Sequence, residues 1–230
     1  MNNKDLLING LSDFYITINE EQLKQFDYFY NLVIDTNKKF NLTAILDEQS
    51  FILKHFIDSS SVVPLIPENS TVCDIGAGAG FPSMPICILR PDIKLTAFDS
   101  TAKKMNFLAS AARDMNIKNL QTIVGRIEEY KDYDEYFDFG VARAVASLPI
   151  LLEIVSQKIK IGGKFIAFKT DESELKNIDN CLEKLNFIFN DSVCFTLPNG
   201  DNRSLLIFEK TDHTPNCYPR QYGIIKKKPL

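Results

Sequence analysis

Directly after a short apolar run the chain reads Asp74-Ile75-Gly76-Ala77-Gly78-Ala79-Gly80-Phe81-Pro82. Glycines at alternate positions let a backbone turn tightly and approach a bound molecule with no Cβ in the way. Pro82 suits the first turn of a following helix. A strand–loop–helix junction of this kind is chemistry for holding a nucleotide-like cofactor, and its spacing discriminates. A dinucleotide site takes Gly-x-Gly-x-x-Gly, whereas the last position here is Phe81. Other polar residues close later apolar runs: Asp99, Glu128, Arg143 and Lys169. Asp99, 25 residues after Asp74, stands where an acidic side chain takes ribose hydroxyls. In an open parallel sheet, ligands bind beyond the carboxyl ends of the strands. These residues therefore share one rim.

The elements that must position them follow from periodicity. From Glu20 to Phe40, Leu23, Phe26, Phe29, Tyr30, Val33 and Ile34 recur at three- and four-residue steps, which predicts an amphipathic helix. A second helical stretch runs from about Asp47 through Phe51, Ile52, Phe56 and Ile57, and no strand pattern precedes residue 70. Past Pro67, strands at Thr71–Ile75, Lys94–Phe98, Leu120–Val124, Phe137–Ala142 and Lys164–Phe168 alternate with helices near Pro82–Leu89, Ala102–Met115, Ser147–Ile159 and Glu172–Leu185. That alternation implies right-handed βαβ units and a parallel sheet. Strands near Ile188–Phe195 and Leu205–Lys210, joined by Pro198-Asn199-Gly200-Asp201, read as a closing hairpin. The expectation is an α/β fold with a mostly parallel seven-stranded sheet. Its parts are a helical N-terminal segment over 1–66, a cofactor-binding core over 67–212 and a basic, extended tail over 213–230.

Composition narrows the classes. No run approaches the roughly 20 apolar residues that span a bilayer, and the N-terminus lacks a signal-peptide pattern. The five cysteines are scattered without a Cys-x-x-Cys pair, and there are two histidines. A disulfide framework and a metal site are therefore not expected, and a reducing cytoplasm is. The net charge of −4 counts against nucleic acid until its distribution is read. Residues 1–60 hold five Lys against nine Asp/Glu, while residues 210–230 hold five cations against Asp212. A basic patch binds RNA on an acidic protein.

An acidic residue two positions before the glycine loop resembles the first motif of S-adenosylmethionine methyltransferases. Further stretches narrow this: Asn41-Leu42-Thr43-Ala44-Ile45, Lys54-His55-Phe56-Ile57-Asp58-Ser59, Arg126-Ile127-Glu128, Arg143-Ala144-Val145-Ala146, Gly162-Gly163 and Tyr218-Pro219-Arg220. With them the chain, from roughly residue 30 onward, resembles the bacterial 16S rRNA guanine-N7 methyltransferases, the glucose-inhibited division protein B family. The resemblance implies the Rossmann-like class I methyltransferase fold, S-adenosylmethionine as cofactor, and a guanine in the 530 loop of 16S rRNA or of the 30S subunit as substrate. Carried over by position, Gly76 and Phe81 contact the cofactor, with Asp74 and Gly78 shaping the loop. Ile127 and Glu128 lie beside the adenine, Asp99 takes the ribose, and Arg143 touches the cofactor. Ser83 and Thr170 stand where the family usually has glycine, and Ile127 where it usually has alanine.

Guanine N7 carries a lone pair and no proton, so methyl transfer to it is a problem of alignment and needs no general base. Arg143 and Lys169 are the expected catalytic, pocket-lining pair, although Lys169 also reads as a solvated strand end. Lys103, Lys104, Arg203 and Arg220 are the expected RNA contacts, with Lys226–Lys228 as a further basic run and Tyr218 and Tyr222 as rings for base stacking. His55 reads as a packing residue bonded to Asp58 or nearby backbone. Nothing in the sequence demands more than a monomer. Methyl transfer to a small molecule, a protein or another RNA, a dinucleotide oxidoreductase, and a non-catalytic RNA-binding module are the competing readings.

Overall fold

The computed structural model describes residues 1–176 and 178–230. Seven strands form one sheet in the order β3-β2-β1-β4-β5-β7-β6. They are β1 (Thr71–Ile75), β2 (Lys94–Asp99), β3 (Leu120–Val124), β4 (Phe137–Arg143), β5 (Ile159–Lys169), β6 (Phe187–Thr196) and β7 (Asn202–Lys210). The first five run parallel, and β7 enters antiparallel beside β5 with β6 as its hairpin partner. Because β1 leads outward to β2 and β3 on one side and β4 lies on its other side, the strand order reverses between β1 and β4. A crevice opens at such a reversal.

Strand side chains alternate between faces, and burial separates them accordingly. Val72, Ala97, Val141, Ile166, Phe168, Leu205 and Ile207 belong to one cluster, which takes in the N-terminal helices and the helices Ser83–Leu89 and Ala102–Asp114. Cys73, Ile75, Phe98, Ala142, Phe165, Ala167, Leu206 and Phe208 belong to the other, under the helices Leu148–Val155, Asp179–Leu185 and Tyr222–Lys227. Adjacent residues thus feed opposite cores, which fixes strand register.

The N-terminal third is helical. Lys4–Ser12 forms a helix that the periodicity does not single out. Glu20–Asn37 opens on a capping box, Asn19 Oδ1 accepting from the Gln22 amide at 2.9 Å and Gln22 Oε1 from the Asn19 amide at 3.1 Å, an exchange that satisfies two end groups. It buries Phe26, Phe29 and Val33. A third helix starts at Glu48–Phe51, widens to a π-helix over Ile52–Ile57 and closes as Asp58–Ser60. Wide turns of this type recur at functional sites.

Three expectations need correction. The helix foreseen near Glu172–Leu185 is a 3₁₀ turn at Ser173–Leu175 and a separate helix at Asp179–Leu185. The helix foreseen up to Ile159 ends at Val155, and Ile159 begins β5. The tail is not simply extended, because Tyr222–Lys227 is helical and Ile225 is fully buried. Among the described residues, no helix is long and apolar enough to cross a membrane, and no cluster of His, Cys, Asp and Glu is arranged to hold a metal ion.

Candidate functional site

Two hollows lie over the carboxyl ends of the strands and share Val145 and Ala146 as a wall. The narrower is a slot of about 190 Å³ above β1, β2 and β3. Gly76 opens it in the left-handed region at φ +70°, and a Cβ there would lie 2.5 Å from Val145 Cγ2. Both constraints require glycine. The amides of Gly76 and Ala77 donate to the Phe98 carbonyl at 2.8 and 3.1 Å, tying the loop across to β2. Asp99 closes the turn, with Oδ2 accepting from Gly78 N at 3.0 Å and Oδ1 from Thr101 N at 2.7 Å. These two bonds fix the carboxylate at the slot's edge. Phe98, Ile127, Ile150 and Ile154 give the slot apolar sides, and Glu128 adds a second carboxyl. Glu128 Oε1 is enclosed without a partner, and burial raises the group's pKa. An unpaired buried acceptor is costly in isolation, so the slot is chemically suited to a ligand that brings donors and a flat apolar ring.

Asp74, Gly78 and Phe81 line neither hollow. Asp74 lies beneath the loop with no exposed surface. Its Oδ2 accepts from the Ser83 amide at 3.2 Å and from the Ser83 hydroxyl. Burial pushes its pKa up to about 7, with Ser83 and Arg143 opposing that shift. Ser83, which departs from the resembled pattern, is therefore the cap on this carboxyl. The Phe81 ring turns toward the N-terminal helices. It stacks on His55 at 4.3 Å and packs on Phe29 at 5.5 Å and Phe51 at 5.6 Å. Aromatic packing of this type contributes about 0.5–1.5 kcal/mol per pair beyond area burial, and here it joins the helical third to the loop.

The larger hollow is a cleft of about 580 Å³ above β4, β5 and β7, walled on its far side by the π-helix. Arg143 sits at its base and is held from three sides. Nη1 donates to the Lys54 carbonyl at 2.6 Å and to Asp58 Oδ2 at 3.1 Å, and Nη2 donates to His55 Nδ1 at 3.2 Å. With Nδ1 accepting, the proton of the neutral imidazole belongs on Nε2, which reaches Thr43 Oγ1 at 2.8 Å. Burial and the Arg143 charge push the His55 pKa down to about 3. Thr43 and Arg143, rather than Asp58, are thus the partners of His55. Arg203 Nε lies 3.2 Å from Asp58 Oδ1, and Asp201 Oδ2 lies 3.1 Å from Lys54 Nζ. Arg203 Nη2 also lies 3.7 Å from Asp201 Oδ2, so Lys54, Arg203 and Arg143 are linked through two carboxylates. Ala144, next to Arg143, adopts φ +57°, a left-handed conformation that costs a non-glycine residue roughly 1–2 kcal/mol. Residues held in such regions cluster at functional sites. Lys169 enters from the end of β5, its Nζ donating to the Ala146 carbonyl at 3.0 Å and pairing with Glu174 Oε1 at 2.7 Å.

The fold brings Asp99, Ile127 and Glu128 to the slot with Gly76, and Arg143, Lys169 and Arg203 to the cleft. Lys103 and Lys104 line neither hollow; they stand in the first turn of Ala102–Asp114, Lys103 exposed and Lys104 half-buried. Arg220 is gripped by Glu153, and Tyr222 lies in the slot under Arg126, so neither presents itself beside the cleft. Sequence reasoning did not single out Lys54 and Asp58 for the cleft or Arg126 for the slot. The available signal was spacing, since Lys54, His55 and Asp58 fall at positions that share one side of a helix.

The family model described as rRNA small subunit methyltransferase G matches residues 22–199. A ribosomal RNA small subunit methyltransferase G of Acetivibrio thermocellus is 40% identical, over 99% of this chain and 96% of that protein. A protein of the same name from Leuconostoc citreum is 38% identical, over 98% of each. Among solved structures, M. jannaschii TYW2 in complex with AdoMet superimposes with a TM-score of 0.56 at 15% identity, covering 73% of this chain and 79% of that one. At that identity the likeness concerns the fold, the Rossmann-like class I methyltransferase.

Proposed function

The chain belongs to the rRNA small subunit methyltransferase G family, and from that premise we propose that its two hollows divide the labour of methylating a guanine N7 in 16S rRNA. The enzyme is an S-adenosylmethionine-dependent rRNA methyltransferase. The observation that carries the finer reading is the shared Val145–Ala146 wall. A slot with apolar sides and carboxyl acceptors adjoins a cleft rich in guanidinium and ammonium groups.

S-adenosylmethionine supplies an electrophilic sulfonium methyl and fits the slot's chemistry. Asp99 takes the ribose hydroxyls, unpaired Glu128 accepts from the adenine end, Ile127 packs on it, and the Gly76–Gly78 backbone lets the cofactor close on β1. Asp74 and Phe81 act from behind this surface and set the shape of the loop. Arg143, Lys169 and Arg203 orient the base and its phosphates in the cleft, Arg143 through a guanidinium that three partners immobilise. Lys103, Lys104 and the exposed Lys226–Lys228 add positive charge outside it. No side chain of the cleft needs to take a proton. His55 already accepts from Arg143, and Asp58 is braced between two arginines. Alignment therefore carries the rate. In this reading residues 1–66 form the far wall of the cleft, 67–212 the cofactor core, and 213–230 a tail that returns to the slot. The enzyme works as a monomer on the 30S subunit or its precursors, in the cytoplasm.

The test is transfer of labelled methyl from S-adenosylmethionine to ribosomal particles from a strain lacking the homologue. Label at N7 of one guanine in 16S rRNA is the expected result. Label confined to protein or to a small molecule would overturn the proposal.

A further inference from the structure

Residues 200–230 lie beyond the stretch that the family model matches, yet the fold returns part of them to the slot. After β7 the chain crosses the helix Leu148–Val155 and is fastened there at several points. Thr214 Oγ1 donates to the Ser156 carbonyl at 2.9 Å, and Gln157 Nε2 donates to the Tyr218 carbonyl. Arg220 holds Glu153 through its backbone amide at 3.0 Å and its side chain at 2.7 and 2.6 Å. Glu153 has no exposed surface, so this is an enclosed, forked ion pair of the stronger kind. Ile225 is fully buried in the core below.

Together these anchors deliver Tyr222 to the slot, where it shares the lining with Phe98, Ile127, Ile150 and Ile154. The Arg126 guanidinium lies 3.6 Å from the centre of its ring, within cation–π range. With one face covered by the guanidinium, the ring leaves its other face for another flat ring in a slot of apolar walls. Stacking of a base on an aromatic side chain is sequence-tolerant and strengthens binding about tenfold or more.

We propose that Tyr222 is a cofactor-binding residue. Its ring forms the outer wall for the adenine of S-adenosylmethionine, Arg126 orients that ring, and the Arg220–Glu153 clamp positions the helix that carries it. The inference rests on reading the slot as the cofactor site. It adds that the slot is completed from the C-terminal tail.

Calorimetric titration of S-adenosylhomocysteine into the full chain and into Tyr222→Phe, Tyr222→Ala and Arg126→Ala tests this, with each variant's melting curve recorded without ligand. Tyr222→Phe is expected to bind within about threefold of the parent, and Tyr222→Ala about tenfold more weakly or worse. Arg126→Ala should fall between them. In methyl transfer the alanine variant should raise KM for S-adenosylmethionine more than it lowers kcat. Parent-like binding by Tyr222→Ala, or an equal loss in Tyr222→Phe, would overturn the proposal. If Tyr222→Ala does not fold, Arg126→Ala decides, because it leaves the tail anchors intact. A parent chain that binds no S-adenosylhomocysteine refutes the slot reading itself, a different failure from parent binding that is indifferent to Tyr222.

Discussion

The slot over β1 to β3 is made largely of backbone and apolar side chains, with two carboxyls set at its edge. The cleft over β4, β5 and β7 is made of charged side chains that hold one another. Hydrogen bonds between the glycine loop and β2 shape the first. The second takes its shape from Arg143, Asp58, Arg203, Asp201 and Lys54, several of them partly or fully withdrawn from water. Each is therefore vulnerable in a different place. A slot framed by main chain tolerates loss of an edge side chain at the expense of ligand affinity. A cleft framed by linked charges loses its own structure when one link is removed.

The most severe way to break this contrast is Arg143→Ala. It strips Asp58, whose side chain is 7% exposed, of one of its two arginines. Breaking a buried pair by removing one partner costs about 3–5 kcal/mol. Urea denaturation should show a loss of that order and methyl transfer should collapse, while S-adenosylhomocysteine affinity of the remaining folded protein stays within about threefold. Cofactor binding that collapses with it would place Arg143 in the slot after all.

Acid and alkali separate the two regions next. His55, in the cleft wall, has its pKa pushed down to about 3 from 6.5. Below about pH 6.5 the unfolded chain takes a proton that the folded chain refuses, so the stability His55 provides is full above that pH and is lost as pH falls toward 3. Asp74, under the slot, is pushed up to about 7 from 3.8. Above about pH 4 the unfolded chain releases a proton that the folded chain keeps, so its contribution is full below that pH and is lost as pH rises through 7. In denaturation curves across pH, His55→Gln should blunt the acid-side decline and Asp74→Asn the decline between about 4 and 7. Variants whose curves run parallel to the parent's would refute these assignments.

Glu128→Gln should weaken S-adenosylhomocysteine binding by about tenfold, the worth of one charged hydrogen bond, without loss of stability, because burial already disfavours the charged form. A stability loss without an affinity loss would make Glu128 a structural group. Arg203→Gln also takes an arginine from Asp58 but leaves an amide that can still donate, so its stability loss should be smaller than that of Arg143→Ala. RNA binding should lose about one unit of its logarithmic salt dependence, and the slot should not respond.

The slot was far more legible than the cleft. Thr71–Ile75 and Leu120–Val124 emerge from the sequence with the boundaries the fold gives them, and the strand ends that carry Asp99 and Arg143 fall within one residue. Strand alternation and glycine geometry are local, so sequence records them. The cleft joins Lys54, His55 and Asp58 to residues 143–146, 168–170 and 203, and their pairing depends on how a π-helix sits against a distant sheet. His55 illustrates the limit: its neighbours in sequence suggested Asp58, whereas the fold supplies Thr43 and Arg143. Phe81 is another case, since its place in the motif says nothing of which way its ring turns. Arg220 and Tyr222 looked like free surface for RNA because neither Glu153 nor Arg126 is near them in sequence.

Val145 stands in both hollows, its side chain packed over the Cβ-less Gly76. Two ligands that meet the Val145–Ala146 wall from opposite sides are coupled wherever either one moves it. If occupancy on one side moves Val145 toward the other, the second ligand's affinity changes by some factor, and thermodynamic linkage requires the first ligand's affinity to change by the same factor in return. Reciprocal cooperativity between methyl donor and RNA, and with it any preferred order of arrival, is then set at a single aliphatic side chain that touches the chemistry of neither.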